Sequence, residues 1–155
     1  MGKEFLKITN LCYIIKDDMV LLQKKSRGFG VGKWNAPGGK KELNETIEQS
    51  TIREIKEETD LNISNLKNIG YHEFVWEEKE EWSTRCYIFK TNTYRGKPKD
   101  MGEGKLKWFP VNKIPLDEMW DDDKLWTKNM LKGKFNNTRF YFDKNSKYLK
   151  HNIIK

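Results

Sequence analysis

Glu54, Glu57 and Glu58 carry the first chemical signal in this 155-residue sequence, with Arg53 directly before them and Glu45 eight positions before Arg53. At about 100° per residue on a helix, positions i, i+3 and i+4 fall within an arc of about 100°, so the three carboxylates share one face. Like charges so placed repel by about 0.2–0.5 kcal/mol per pair on an isolated helix. A hard divalent cation removes that repulsion. Mg²⁺, with Mn²⁺ as a substitute, takes oxygen ligands of this kind and completes its shell with water and phosphate. Arg53 is placed to pair with a carboxylate from the preceding loop or first turn, and Glu45 is the candidate. For the helix taken alone, the competing reading is a solvated acidic face beside Lys56.

The elements that must position this face follow from periodicity. Ile8 to Ile15 is rich in β-branched and aromatic residues, and Asp17-Asp18 turns the chain into Met19–Leu22, which predicts a hairpin. Residues 24–41 hold five glycines and Pro37, so they read as loop with a short extended piece at Trp34. Glu45 to Thr59 is the clearest helix, with Ile47, Thr51 and Ile55 at i, i+4 and i+8. Strands are expected at Ile69–Trp76 and Thr84–Thr91, joined by the acidic turn Glu77–Glu81. After a turn at Arg95–Pro98, a further strand is expected at Lys105–Phe109. A second helix begins near Asp121–Asp123, whose carboxylates suit a helix N-terminus, and ends before Gly133. Phe135–Phe142 and Tyr148–Ile154 form a closing hairpin. The order predicts an α+β fold, a mixed curved sheet flanked by helices, in a single domain spanning 1–155.

Composition excludes several classes. Lys and Arg number 30 against 23 Asp and Glu, a formal charge of +7, but the charges are interspersed rather than blocked. Of the cations 25 are Lys, scattered as on a solvated surface rather than clustered as in a nucleic-acid footprint. No apolar run approaches the roughly 18 residues of a membrane span. Phe5-Leu6 is followed at once by Lys7, so no signal peptide is expected, and the location is read as cytoplasmic. Cys12 and Cys86 sit in apolar stretches and read as small buried hydrophobes.

Gly39, five residues, Glu45, seven residues, then Arg53-Glu54-Ile55-Lys56-Glu57-Glu58 resembles the box of the Nudix hydrolases. The match is complete except that the box's closing Gly is Asp60 here. That departure touches the helix stop and not a ligand. Residues 24–35 and 114–126 resemble the corresponding segments of the oxidised-purine triphosphatases within that family, the 8-oxo-dGTP diphosphatases. The likeness extends from Ile8 to the Phe140 region. It implies a sheet sandwiched between helices, and a metal site built from Glu54, Glu57 and Glu58, completed by the Gly38 carbonyl and the Glu103 carboxylate. The implied reaction is attack of water on a phosphorus of the nucleotide, releasing a monophosphate and pyrophosphate. Mg²⁺ must screen the polyphosphate before a nucleophile can approach, and one glutamate must take the water's proton. Glu54 and Glu57 both qualify as that base, and Arg53 belongs to the same implied catalytic set.

The same resemblance implies a base pocket. Trp120 stacks on the purine, and Phe29 and Phe74 line the walls. Asn35, Asp122 and Asp123 face the polar edge, and Lys25 reaches the ligand or its phosphates. Carboxylates suit the N1–H and N2–H₂ donors of guanine, and an amide senses the N7/C8 side that oxidation turns from acceptor to donor. Helix capping is the bland alternative for the three aspartates, as core packing is for Trp120 and Trp126. Trp126 is expected in the core in either case. Two positions depart from close relatives: Ala36-Pro37 stands where they carry Gly-Phe, and Asn10 where they carry a pocket Thr. Two other readings stay open. One is a Nudix hydrolase of an ordinary (d)NTP, an ADP-sugar or a dinucleoside polyphosphate. The other is a nucleic-acid-binding module without catalysis, against which the intact glutamate set argues. The partners expected are a small-molecule nucleoside triphosphate, with no membrane, no stable nucleic acid and a monomeric state.

Overall fold

The computed structural model describes residues 7–155; Phe5 and Leu6, used above in reading the N-terminus, lie outside the described residues. The first hairpin pairs β1 (Ile8–Lys16) with β2 (Met19–Lys25). Its two turn residues, Asp17 and Asp18, have φ of 52° and 61°, the left-handed pair that a tight hairpin between right-twisted strands requires. β2 runs three residues further than the expected Leu22, because its far half pairs with β3 (Trp34–Asn35) and along its whole length with β8 (Gly104–Pro110). The remaining long strands are β5 (Lys67–Trp76), β6 (Thr84–Thr91), β9 (Thr138–Phe142) and β10 (Tyr148–Ile153). They line up as β10-β9-β5-β6-β1-β2-β3, with β8 on β2. The sheet is mixed: β1 lies parallel to β6, and β5 lies parallel to β9.

Alternation along β1 decides what covers each face. Cys12 and Ile14 point to the side that receives Ile55 of α1 (Ile47–Thr59), together with Leu21 and Phe89. Tyr13 points to the other side, where Trp126 and Met130 of α2 (Asp123–Leu131) pack with Val20, Leu22 and Ile88. The sheet is therefore sandwiched between one helix on each face, as expected. Cys12 and Cys86 are buried free thiols, and burial pushes both up to about 12. Among the described residues no helix is long and apolar enough to cross a membrane.

Three expectations need correction. The first helix starts at Ile47, not Glu45, because Thr46 and Gln49 form a reciprocal capping box: Thr46 Oγ1 accepts from Gln49 N at 3.0 Å, and Gln49 Oε1 accepts from Thr46 N at 2.9 Å. A small antiparallel pair, β4 (Asn62–Ser64) with β7 (Thr93–Arg95), follows the helix, so Arg95 belongs to a strand rather than to a turn. Residues 135–137 are not strand. Phe135 packs on the buried His72 ring at 4.6 Å, and Asn137 Oδ1 accepts from Tyr71 N at 3.0 Å.

Candidate active site

The loop between β3 and α1 is strapped to β1. Asn10 N donates to Gly39 O at 2.9 Å, and Cys12 N donates to Pro37 O at 2.9 Å. The approach leaves no room for side chains: a Cβ on Gly38 would lie 2.0 Å from Asn10 O, and one on Gly39 would lie 2.2 Å from Glu54 Cδ. The two glycines therefore let the strap pass between a strand and the acidic helix face. Asn10, itself buried, ties the same junction: its Nδ2 donates to Ser50 Oγ at 2.9 Å, and its Oδ1 accepts from Gly39 N at 3.2 Å. Each end of this amide has a protein partner, so Asn10 helps to fix the cavity wall that it lines.

Arg53 is the hub of the acidic face. It makes a fork to Glu45, Nε to Oε2 at 2.7 Å and Nη2 to Oε1 at 2.9 Å, as the sequence predicted. Its Nη1 reaches Glu54 at 3.0 Å and Glu57 at 3.1 Å. The guanidinium holds the Glu45 carboxyl down to about 2. Glu58 turns inward, where its Oε1 accepts from Gly38 N at 3.2 Å; burial pushes its carboxyl up to about 8 despite that bond. Burial also raises Glu54. Glu103, in the loop before β8, pairs with Arg27 at 3.0 Å and Lys25 at 3.7 Å. Its charge nevertheless bears on both Glu54 and Glu58, so the four-residue acidic set shares one region of space.

Among the described residues no three His, Cys, Asp or Glu side chains already converge as a finished metal cage. Each carboxylate instead has its own cationic or N–H partner. The donor set still fits a hard divalent cation. Its oxygens are carboxylates, two of them on half-buried or buried groups whose negative charge is destabilised by burial and by one another, and a cation would reverse that penalty.

Beside the strap opens a cavity of about 660 Å³. Trp120, Phe29 and Phe74 line it, joined by Trp76, which was read only as a strand residue, and by Trp82, to which the sequence assigned no role. Phe29 is the centre of this aromatic wall, with ring centroids 5.1 Å from Trp120, 5.5 Å from Trp76 and 5.3 Å from Trp82. Gly30, at φ 86°, lies against the Trp120 ring, where a Cβ would come within 3.0 Å. Asn35, Lys25 and Gly38 line the same cavity. The acidic helix residues do not line the cavity; the two regions meet at Gly38 and Gly39.

Asp122 and Asp123 lie deep in the cavity wall, 4% and 2% exposed. They do not cap α2. Asp122 sits at the cap position with helical φ and ψ of −69° and −25°, and makes no capping hydrogen bond. Its Oδ2 accepts from Trp126 Nε1 at 2.7 Å, and Asp123 Oδ1 accepts from the Thr127 hydroxyl at 2.6 Å. Burial raises both carboxyls, Asp122 to about 6 and Asp123 well above the usual carboxylate range, the second raised also by the charge of the first. Folding therefore binds protons here, and the stability that goes with them is present near pH 4 and lost as pH rises through the raised values. Asp122→Asn keeps the acceptor for Trp126 and removes the buried charge. We expect its Tm to exceed wild type by about 2–8 °C at pH 8, equivalent to about 1–2 kcal/mol, with the gap closing by about pH 4–5. Parallel melting curves across that range test the expectation, and a gap that widens toward low pH refutes it.

Asp60 ends α1 in the left-handed conformation, φ 64° and ψ 13°, costing about 1 kcal/mol where Gly costs nothing. Its ion pair with Lys56, at 2.9 Å, offsets part of this.

The description NUDIX domain belongs to the family model that matches residues 6–130. The chain is 41% identical over 128 residues to the oxidized purine nucleoside triphosphate hydrolase of Danio rerio, covering 83% of this chain and 81% of that protein. It is 34% identical over 128 residues to the protein of the same name from Mus musculus, with the same coverage. Among solved structures, a mutator MutT protein from Bacillus halodurans superposes with a TM-score of 0.84 at 29% identity, over 96% of this chain and 97% of that one. With Arg53, Glu54, Glu57 and Glu58 of the box on α1 and its matched region spanning most of the sequence, the chain belongs to the Nudix family, hydrolases that act on small nucleotides with a divalent metal.

Proposed function

We propose that this Nudix hydrolase is a Mg²⁺-dependent nucleoside triphosphate diphosphatase that cleaves oxidised purine nucleotides such as 8-oxo-dGTP to the monophosphate and pyrophosphate. Its role is then the sanitation of the nucleotide pool. The observation that carries the reading is the cavity, which Trp120, Phe29 and the buried Asp122–Asp123 pair line together and which reaches the strap at Gly38 and Gly39. The substrate named for the Danio rerio and Mus musculus relatives supports the same choice.

The purine slides against Trp120, with Phe29 and Phe74 closing the slot. Two adjacent buried carboxyls with raised affinity for protons share one, so the pair can both donate to and accept from a base edge. That versatility admits oxidised guanine and oxidised adenine alike. Asn35 Oδ1 accepts from Ala36 N at 2.8 Å, which leaves its N–H₂ as the group offered to the base. Lys25 attracts the phosphate chain toward Gly38 and the glutamates. Glu54, Glu57, Glu58, Glu103 and the Gly38 carbonyl hold the metal, which when bound screens the polyphosphate charge. Arg53 fixes the orientation of Glu54 and Glu57, either of which takes the proton of the attacking water. The same reading takes the protein as a monomer that acts in the cytoplasm as one domain over 1–155, without nucleic-acid or membrane partners.

The test is steady-state pyrophosphate release from 8-oxo-dGTP and dGTP. The two bases differ by one N–H donor and one carbonyl, and a buried partner left unpaired costs about 1–3 kcal/mol, so kcat/KM for 8-oxo-dGTP is expected to be about 10–100-fold higher. Equal values reject the sanitising role and leave the family chemistry standing.

A further inference from the structure

We infer that Gln23 is a specificity-determining residue of this cavity, whose side-chain amide hydrogen-bonds to the polar edge of the bound purine. The inference rests on the reading of the cavity given above.

Gln23 follows the apolar run Val20–Leu22 on β2 and is as buried as its neighbours, 3% exposed, although it is polar. It lines the nucleotide cavity, and its Nε2 is buried without a hydrogen-bond partner. A buried amide left unpaired destabilises a fold relative to an apolar side chain of the same size. The other deep polar groups of this wall are each held by protein: Asn10 by Ser50 and Gly39, Asp122 by Trp126, Asp123 by Thr127. Gln23 lacks any such tie, which is the signature of a group whose partner is the ligand.

Its position sets which part of the ligand it meets. Gln23 is directly opposite Asn35 in the antiparallel β2–β3 pair, so both side chains rise from the same face, with Cβ atoms about 4.5–5.5 Å apart. Lys25 follows two residues on, on the same side of the strand, and pairs with Glu103 at the acidic end. An uncharged amide deep in the wall, next to Asn35 and short of the cationic end, suits a base and not a phosphate. The two amides also differ in freedom. Asn35 is pinned by Ala36 N and offers donors, whereas the terminal torsion of Gln23 is broad and roughly two-fold. By turning over, Gln23 offers N–H₂ to the 6-carbonyl of an oxidised guanine or C=O to the 6-amino group of an adenine. Breadth among purines then depends on Gln23 as well as on the aspartate pair.

The test uses Gln23→Leu and Gln23→Met in the full chain, with Tm in the absence of nucleotide and steady-state kinetics on 8-oxo-dGTP, dGTP and dATP. Removing an unpartnered amide leaves the unliganded Tm equal or higher. For the best-cleaved purine, KM rises by about 5–10-fold, the loss of about one hydrogen bond, while kcat moves by less than about 2-fold. The ratio of guanine to adenine nucleotides shifts as well. An unchanged KM and unchanged ratio in whichever variant keeps its Tm overturns the inference, as does a fall in kcat alone. Should the wild type show no preference for 8-oxo-dGTP, the substrate reading fails on that column by itself. The Gln23 comparison still reads out on dGTP and dATP.

Discussion

Glu57→Gln is expected to lower kcat by about 10²-fold or more, with a melting temperature close to wild type. Glu57 is the outermost of the helix carboxylates, with its side chain 57% exposed and its one described polar contact to Arg53 Nη1 at 3.1 Å. Exposed i, i+4 ion pairs contribute about 0.3–0.5 kcal/mol, so the fold barely registers the change. Gln keeps the length and one oxygen but removes the negative charge. A hard cation loses attraction there, and a base loses its proton affinity. Excess chelator should abolish turnover of the wild type for the same reason, with recovery on adding Mg²⁺. Near-normal turnover by Glu57→Gln would remove the residue from the metal and base assignments alike.

Gly39→Ala is expected to cost activity on the same scale while replacing no group that does chemistry. The added Cβ would lie 2.2 Å from Glu54 Cδ and 2.3 Å from its Oε2. The strap cannot yield, since Gly39 is hydrogen-bonded to Asn10 through both its N–H and its carbonyl. Glu54 is the end of a flexible side chain and can swing away, so the stability cost stays within about 1–2 kcal/mol. That same swing breaks its bond to Arg53 and moves the carboxylate by an ångström or more. Misplacement of about 1 Å is enough for a loss of about 10²-fold. The measurement pairs kcat with Tm. A variant with nearly full kcat shows that Glu54 is not needed where the structure holds it.

Much of this site was legible because helical spacing is strict. Once Arg53, Glu54, Glu57 and Glu58 occupy one turn and a half, their shared face follows, and so does the Arg53–Glu45 pair that the structure displays. The hairpin at Asp17-Asp18 was legible for a similar local reason. What could not be read depended on distant partners. Gln23, Lys24 and Lys25 follow an apolar run and precede a glycine-rich stretch, so they look like loop; β8, some eighty residues later, makes them strand. Asp121–Asp123 look like a helix cap in any sequence. Their i+4 neighbours Trp126 and Thr127 offered the available hint that two of them are held for another purpose. The β4–β7 pair escaped because three-residue strands carry no periodicity. Trp76 and Trp82 gave no sign that they stand against Phe29, which lies about fifty residues away in the chain.

The two parallel pairings have a consequence for how the molecule acquires its cavity. β1 meets β6 with Ile8 opposite Arg85, and β5 meets β9 with His72 opposite Thr138. Each contact closes a chain loop of well over fifty residues, which is entropically slow compared with closing a hairpin. The cavity draws its walls from β1, β2, β5, β6 and α2, so no single local hairpin encloses it. It exists only when both distant closures are made. A nucleotide therefore binds the finished fold alone, and its occupancy stabilises the whole chain by mass action rather than any one segment. When nucleotide is scarce the enzyme stands on its intrinsic stability; when it accumulates, the bound substrate itself protects the catalyst.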